Sequence, residues 1–223
     1  VNNLSHQKGK KLFFIRDTEP WSRAYKKEIE AFRLPLMKIV TTPWIKIFLK
    51  KEVGVDVVGI VPNGINIKDF EVTNKKYNNP PVISMVYATH PAKGMPEGFR
   101  VLEEIKKLHP YAKIVLFGFT KPPNLNFEIE FHHRPVKEKL RAIYARTDIF
   151  LCPSLQEGYH NPPREAMLAR CAVVATNVGC IPLCTIPEET TLVVEPGDVQ
   201  GMVRAVSELI NNPKEIMRMG IAA

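Results

Sequence analysis

Long apolar runs are missing from this sequence of 223 residues. None approaches the roughly 20 residues a helix needs to cross a bilayer, so no helical membrane span is expected. The opening residues are polar and do not read as a secretory leader. The chain starts at Val1 rather than methionine, which reads as a processed, trimmed or partial chain. Cysteine is scarce: Cys152, Cys171, Cys180 and Cys184 are the only four. Cys152 and Cys171 fall in or beside apolar runs and read as small core residues. Cys180 and Cys184 have no second pair at zinc spacing, which argues against a metal site. Few cysteines and no leader point to a reducing, cytoplasmic compartment. Also absent are a Walker phosphate loop and any Ser/His/Asp or Cys/His arrangement around a nucleophile elbow.

What is present is ordinary in bulk. The chain is 45% hydrophobic and 24% charged, the balance of a globular protein, and long enough for one large domain or two small ones. Its formal net charge is +8 and its pI is near 9.3. Such a chain attracts anions: nucleotides, nucleic acids or an acidic membrane leaflet. The lysines are spread from Lys8, Lys10 and Lys11 to Lys75 and Lys76, and read as a solvated face. No nucleic-acid-binding motif accompanies them, so nucleic acid is not an expected partner.

The apolar runs alternate with helical stripes. Lys11–Ile15, Lys38–Thr42 and Asp56–Val61 read as strands. Between them lie a helix carrying Trp21, Tyr25, Ile29 and Phe32, and a second from Pro43 to about Lys51 with Trp44, Ile45, Phe48 and Leu49 inward. Residues 68–80 turn polar and asparagine-rich and read as a linker. The rhythm then restarts. Val82–Ala88, Lys113–Phe117, Phe127–Phe131, Asp148–Cys152, Cys171–Ala175 and Thr191–Val194 read as strands. Glu97–Leu108, Val136–Ala145, a segment from Pro162, Val199–Ile210 capped by Asp198, and a last segment from Pro213 read as helices. This rhythm predicts an α/β protein with parallel, Rossmann-like sheets. We expect an incomplete first domain over 1–67, a linker over 68–80 and a second domain over 81–223. The first has too few elements to cover both faces of its sheet.

The richest stretch, Ser154-Leu-Gln-Glu-Gly-Tyr-His-Asn-Pro-Pro-Arg-Glu-Ala-Met167, joins a strand to a helix at the strand's carboxyl end. In open α/β sheets ligands bind at that edge. Glu165 alone reads as a carboxylate that caps a helix start. As a pair around Gly158 they can accept hydrogen bonds from sugar hydroxyls, while helix-start N–H groups hold phosphate or sugar oxygens. A second loop, Thr89–Gly94, offers Lys93 as a point charge and Gly94 for close backbone approach. Gly118, His132-His133-Arg134, His160 and Gly179 fall on the same rim. Adjacent histidines on a strand point to opposite sides, so base or phosphate contact is the better reading than metal. His160 reads either as a general base or as solvent-exposed filler.

Asp148 to Ala169 resembles the E-x7-E signature of retaining GT-B glycosyltransferases of the large family 4. Further pieces follow in the family's order: Val61-Pro-Asn-Gly-Ile-Asn66 with Phe70, Lys93-Gly94, Gly118, Asn177-Val-Gly-Cys-Ile-Pro182 and Pro196-Gly-Asp198. The resemblance implies a GT-B fold and transfer of a sugar, with retention and without metal or other cofactor, from a nucleotide-diphosphate-sugar. The acceptor would be a glycan, a lipid-linked or a small molecule, and the enzyme cytoplasmic or at the cytoplasmic membrane face. It implies that Glu165 binds the ribose hydroxyls, Glu157 the donor sugar, and backbone N–H groups of Gly158, Tyr159, His160 and Asn161 the sugar or phosphate. Lys93, beside Gly94, would neutralise the departing diphosphate. His133, Arg134 and Pro135, with Gly118, would border the base. Tyr87-Ala88-Thr89 stands where the family usually has an arginine, and Arg134 is a candidate substitute. A nucleotide-sugar epimerase and a non-catalytic nucleotide-sugar-binding subunit are the alternative readings.

Overall fold

The computed structural model describes residues 9–20 and 22–223. The chain divides into two compact units: residues 1–64 with Glu157–Tyr159, and residues 65–156 with 160–223.

In the first unit, β1 (Leu12–Ile15), β2 (Met37–Val40) and β3 (Gly59–Ile60) form a parallel sheet in that order. Its linking helices are α1 (Tyr25–Phe32) and α2 (Pro43–Phe48). Pro43 opens α2, where a missing N–H costs nothing. The expected helix to Lys51 ends its α-helical part at Phe48, and the chain continues as a π-helical segment, Leu49–Val53, closed by Gly54 at φ +78°. The third expected strand shrinks to two residues, paired Ile39 with Gly59 and Val40 with Ile60. Ile15, Phe32, Val40, Ile45, Leu49 and Val53 form the core on the helical side. Trp21, the first residue of the expected α1 stripe, lies outside the described residues. On the other face, Leu12, Phe14 and Met37 are exposed.

The second unit opens with a short helix α3 (Ile67–Phe70). It then alternates β4 (Val82–Tyr87), α4 (Met95–Leu108), β5 (Lys113–Gly118), β6 (Glu130–His133), α5 (Lys137–Arg146), β7 (Ile149–Cys152), α6 (Asn161–Leu168), β8 (Ala172–Thr176), α7 (Ile181–Cys184), β9 (Thr191–Val194), α8 (Val199–Asn211) and α9 (Pro213–Ala222). The parallel sheet runs β6-β5-β4-β7-β8-β9. That is the Rossmann order, with the switch of direction between β4 and β7. One face packs against α4, α8 and α9 through Leu102, Ile105, Val206 and Met219. The other packs against α5 and α6 through Ile143, Tyr144, Ala166 and Met167. Buried on both faces, its central strands are continuous apolar runs, as parallel strands must be.

Asp198 caps α8 as expected, accepting from the Gly201 N–H at 2.8 Å. The helix α7 was not expected from the sequence. β6 starts three residues later than the alternation of Phe127–Phe131 suggests. Pairing of Val115 with Glu130 through Gly118 with His133 sets its register, whereas Phe127 and Ile129 pack on the core without joining the ladder. The polar segment before β4 is anchored on this unit. Lys75 Nζ donates to the carbonyls of Tyr144 and Ala169 at 3.0 and 3.1 Å, and also to that of Thr147. Asn78 and Val82 donate to the Asp148 carboxylate.

Candidate functional site

The β4–β7 ladder comprises two pairs, Ile83 with Ile149 and Ser84 with Phe150. β4 runs on to Tyr87 alongside β5. The two central strands therefore part at their carboxyl ends, where a parallel sheet opens its ligand crevice. Two loops flank that opening. After β4, His90 Nδ1 accepts from the Ala92 N–H at 3.3 Å and caps a 3-10 turn, Pro91–Lys93. After β7, the N–H groups of Leu155 and Gln156 both donate to the Ala92 carbonyl, at 2.7 and 3.2 Å. Thr176, at the end of β8, donates its hydroxyl to the Ser154 carbonyl at 2.5 Å and fixes the start of the same loop.

Gly94 lies where these loops touch, at φ +61°, and a Cβ there would stand 2.0 Å from the Pro153 carbonyl oxygen. Only glycine meets both the left-handed backbone and the close approach. A narrow crevice of about 30 Å³ is lined by Lys93, Met95, Pro153, Ser154, His160 and Pro162. The Lys93 loop and the His160 loop thus share one wall. His160 is 8% exposed, so the solvent-exposed filler reading falls. It precedes α6 with φ +80°, a left-handed conformation that costs a non-glycine residue about 1–3 kcal/mol and concentrates at functional sites. Asn161 is the first residue of α6, and the prolines after it occupy the first turn.

Glu165 is the fifth residue of α6 and does not cap it. It accepts the Tyr144 hydroxyl at 2.8 Å. Tyr144 is fully buried and stands edge-on to Phe70, Phe117 and Phe150, with ring centroids 5.8, 5.5 and 5.4 Å away. Each such pair adds roughly 0.5–1.5 kcal/mol beyond area burial, so the hydroxyl is held rigidly under the carboxylate. Burial raises the Glu165 pKa, and the Tyr144 hydroxyl and Arg164 oppose that rise. A half-buried carboxylate fixed on one side by a phenol has acceptor capacity left for ligand hydroxyls.

Glu157, Gly158 and Tyr159 group with the first unit. Glu157 and Tyr159 are buried, 6% and 7% exposed. The Gly158 carbonyl accepts from the Thr42 hydroxyl at 3.1 Å, and a Cβ on Gly158 would stand 2.1 Å from the Arg16 carbonyl oxygen. Gly118 ends β5, where a Cβ would stand 2.1 Å from the Tyr87 carbonyl oxygen. Close approach of two strands is thus sufficient reason for glycine there. His132 and His133 diverge as strand neighbours should. His132 pairs with Glu130 at 2.6 Å, and His133 Nε2 lies 2.8 Å from the Phe119 carbonyl. Arg134, at φ +45°, places its guanidinium 6.0 Å from the Phe119 ring centroid, and Pro135 follows half-buried. Among the described residues, no group of three His, Cys, Asp or Glu side chains gathers to hold a metal.

A roomier cavity, about 340 Å³, is lined by Val82, Lys113 and Glu130 at the amino ends of β4, β5 and β6. It is at the wrong end of a parallel sheet to be the main site, and it holds none of the candidate residues. Sequence reasoning placed Tyr144 on a helix and missed that it positions Glu165. It also missed Thr176 as the anchor of the Ser154 loop. The local sequence signals neither role: Tyr144 lies on a charged helix and Thr176 ends a buried strand.

Residues 80–212, well over half of the chain, match the family described as "Glycosyl transferases group 1". Among curated proteins, the chain is 27% identical over 174 residues to the MMP alpha-(1->4)-mannosyltransferase of Mycolicibacterium hassiacum, covering 72% of this chain and 41% of that one. It is 25% identical over 181 residues to the phosphatidylinositol N-acetylglucosaminyltransferase GPI3 subunit of Saccharomyces cerevisiae, covering 73% and 40%. The chain thus spans about two-fifths of the length of either relative. Among solved structures it superposes on sucrose-phosphate synthase of Thermosynechococcus elongatus with a TM-score of 0.75 at 20% identity, covering 94% of this chain and 60% of that one. It superposes on HepE of Anabaena, solved with UDP and glucose, with a TM-score of 0.74 at 14% identity, covering 95% and 64%. At these identities the likeness is one of fold, and the fold is of the GT-B glycosyltransferase type. With its Rossmann-order sheet and two loops laced across the switch point, the chain belongs to the glycosyl transferases group 1 family.

Proposed function

We propose that this chain carries the donor half of a retaining, metal-independent glycosyltransferase of family 4 that uses a nucleotide-diphosphate-sugar. The observation that carries this reading is the joining of the Lys93 loop to the Ser154–Asn161 loop through the Ala92 carbonyl, at the switch point of the sheet. On this view the Lys93 cation and backbone N–H groups of the Ser154–Asn161 loop serve one bound nucleotide. In this reading Glu165, held by Tyr144, accepts the ribose hydroxyls. Lys93 and backbone N–H groups after Gly158 take the diphosphate and sugar oxygens, Glu157 faces the donor sugar, and His133 to Pro135 border the base. Catalysis is then positioning plus stabilisation of the charge that develops on the leaving diphosphate, which helps to deprotonate the acceptor on the same face. The acceptor is a glycan, a lipid-linked or a small molecule, and its membrane-bound forms would suit a chain of net charge +8.

The first test is thermal shift with UDP-, GDP-, dTDP- and ADP-sugars. One of them should raise the melting temperature; no response from any sinks the donor reading. With the responding nucleotide, Lys93→Ala should weaken the diphosphate roughly tenfold or more, as loss of a charged hydrogen bond would, and the free nucleoside little. Equal loss for both would remove Lys93 from the phosphate. Transfer assays on the full-length protein separate an enzyme from a binding subunit, which would hold donor without glycosylating any acceptor.

A further inference from the structure

We infer that Cys180 and Cys184 form a thiol–disulfide exchange site, a dithiol that closes on reaction with a low-molecular-weight disulfide and, in closing, lets go of the backbone of His160. The two thiols are already in contact. The Cys184 N–H donates to the Cys180 carbonyl at 3.0 Å, one full α-helical turn. A rise of 1.5 Å per residue on a 2.3 Å radius then sets the two Cα atoms about 6.2 Å apart, inside the span a disulfide accepts. The sulfurs stand 3.5 Å apart, with Cys184 donating to Cys180. On a regular helix, Cβ atoms one turn apart stand about 5–6 Å from each other, wider than the roughly 3.5–4.5 Å of a disulfide, so closure also distorts the single turn of α7.

The two thiols are differently placed. Cys180 is fully buried, and its S–H donates to the His160 carbonyl at 3.1 Å. Cys184 is half-buried on the surface side of α7. Contact with Cys180 lowers the Cys184 pKa, with Arg164 acting in the same direction and burial opposing both. The same contact, with burial, raises that of Cys180. A half-buried, more acidic thiol beside a fully buried partner is the arrangement of an attacking and a resolving cysteine. The other two cysteines are not rivals. Cys171 is buried with its S–H on the carbonyls of Tyr144 and Thr147, and burial pushes it up to about 11. Cys152 is buried within β7.

The chemistry balances with a glutathione-type disulfide, RSSR, as oxidant. The Cys184 thiolate attacks one sulfur of RSSR, forming a mixed disulfide and expelling RS⁻. Cys180 then loses its proton and attacks the Cys184 sulfur, expelling the second RS⁻. The two thiols are oxidised to one disulfide, RSSR is reduced, and the two protons leave as 2 RSH. Because a disulfide sulfur carries no hydrogen, the bond from Cys180 to the His160 carbonyl is lost. His160, at φ +80°, lines the crevice beside Lys93.

The test uses the full chain, reduced and then equilibrated in glutathione buffers of rising disulfide fraction. It is quenched in acid, alkylated and peptide-mapped by mass. Cys180 and Cys184 should lose two hydrogens together and become linked, while Cys152 and Cys171 stay reduced. Cys180→Ser should stop at a glutathione adduct on Cys184, and Cys184→Ser should leave Cys180 unreacted. In the folded wild type, the His160 carbonyl-carbon resonance should move on oxidation and return with dithiothreitol. Three outcomes overturn the inference: both thiols stay alkylatable at every ratio, glutathione is captured on Cys180 instead of Cys184, or the disulfide forms while the His160 resonance stays in place.

Discussion

Glu165 and Tyr144 show how one buried hydroxyl can set the properties of a site carboxylate. Burial raises the Glu165 pKa and the phenol partly restores it, so Tyr144→Phe should raise it further, read from the side-chain carboxyl ¹³C shift against pH. An unchanged titration would mean that Tyr144 does not control the acid. The sign of the stability effect follows. With its folded pKa above the unfolded value, Glu165 contributes stability below about pH 4.5, and that contribution is lost as pH rises through the folded pKa. Glu165→Gln keeps an acceptor for Tyr144 while removing the charge. It should weaken nucleoside-diphosphate binding several-fold at neutral pH and change stability by no more than about 1 kcal/mol. A large stability loss with unchanged affinity, by denaturant melts and calorimetry, would make the carboxylate structural.

Among the elements, the loops that carry the site depend on backbone fit more than on side-chain chemistry. Gly94→Ala should abolish the junction with Pro153, because the added carbon meets a carbonyl and not a flexible chain end. The expected result is a loss of several kcal/mol in a urea melt, with binding lost as well. The segment before β4 offers a second case. Lys75 serves carbonyls at the carboxyl ends of α5 and α6, so Lys75→Met, which keeps the stem and removes the donors, should cost about 1–3 kcal/mol. A neutral result would mean that solvent serves those carbonyls equally well. Much of this level was legible beforehand. Pro43, Asp198 and Pro213 mark helix starts by local chemistry, and the apolar runs mark the strands. β6 was misplaced because burial and ladder pairing coincide in most strands but separate at Phe127 and Ile129. The helix α7 escaped notice because four residues around a proline carry no period.

For the whole molecule, the two units differ in how completely their sheets are covered. The six-stranded sheet of the second unit is packed on both faces. The three-stranded sheet of the first presents Leu12, Phe14 and Met37, 54%, 41% and 36% exposed, on the face away from its helices. Parallel sheets ordinarily bury both faces. This chain by itself should therefore bind an apolar dye such as ANS, and replacing Leu12 and Phe14 together by serine should reduce the signal without lowering the melting temperature of the second unit. Dye binding unchanged by the double variant would place the apolar surface elsewhere. Among the described residues no helix is long and apolar enough to cross a membrane.

The sequence by itself determined the alternation of strand and helix, the parallel α/β class and the strand-to-helix placing of the stretch that holds Glu157 and Glu165. All of these rest on periodicity, proline and glycine placement, and caps, which act within a few residues. Tertiary structure alone decided the strand order, the lacing of Leu155 and Gln156 onto Ala92, and the seating of Glu165 on Tyr144. Those partners lie 21 residues apart for Tyr144 and Glu165 and farther for the loops. Local patterning records that a residue is apolar or polar, but the partner it meets is set by how the sheet is wound.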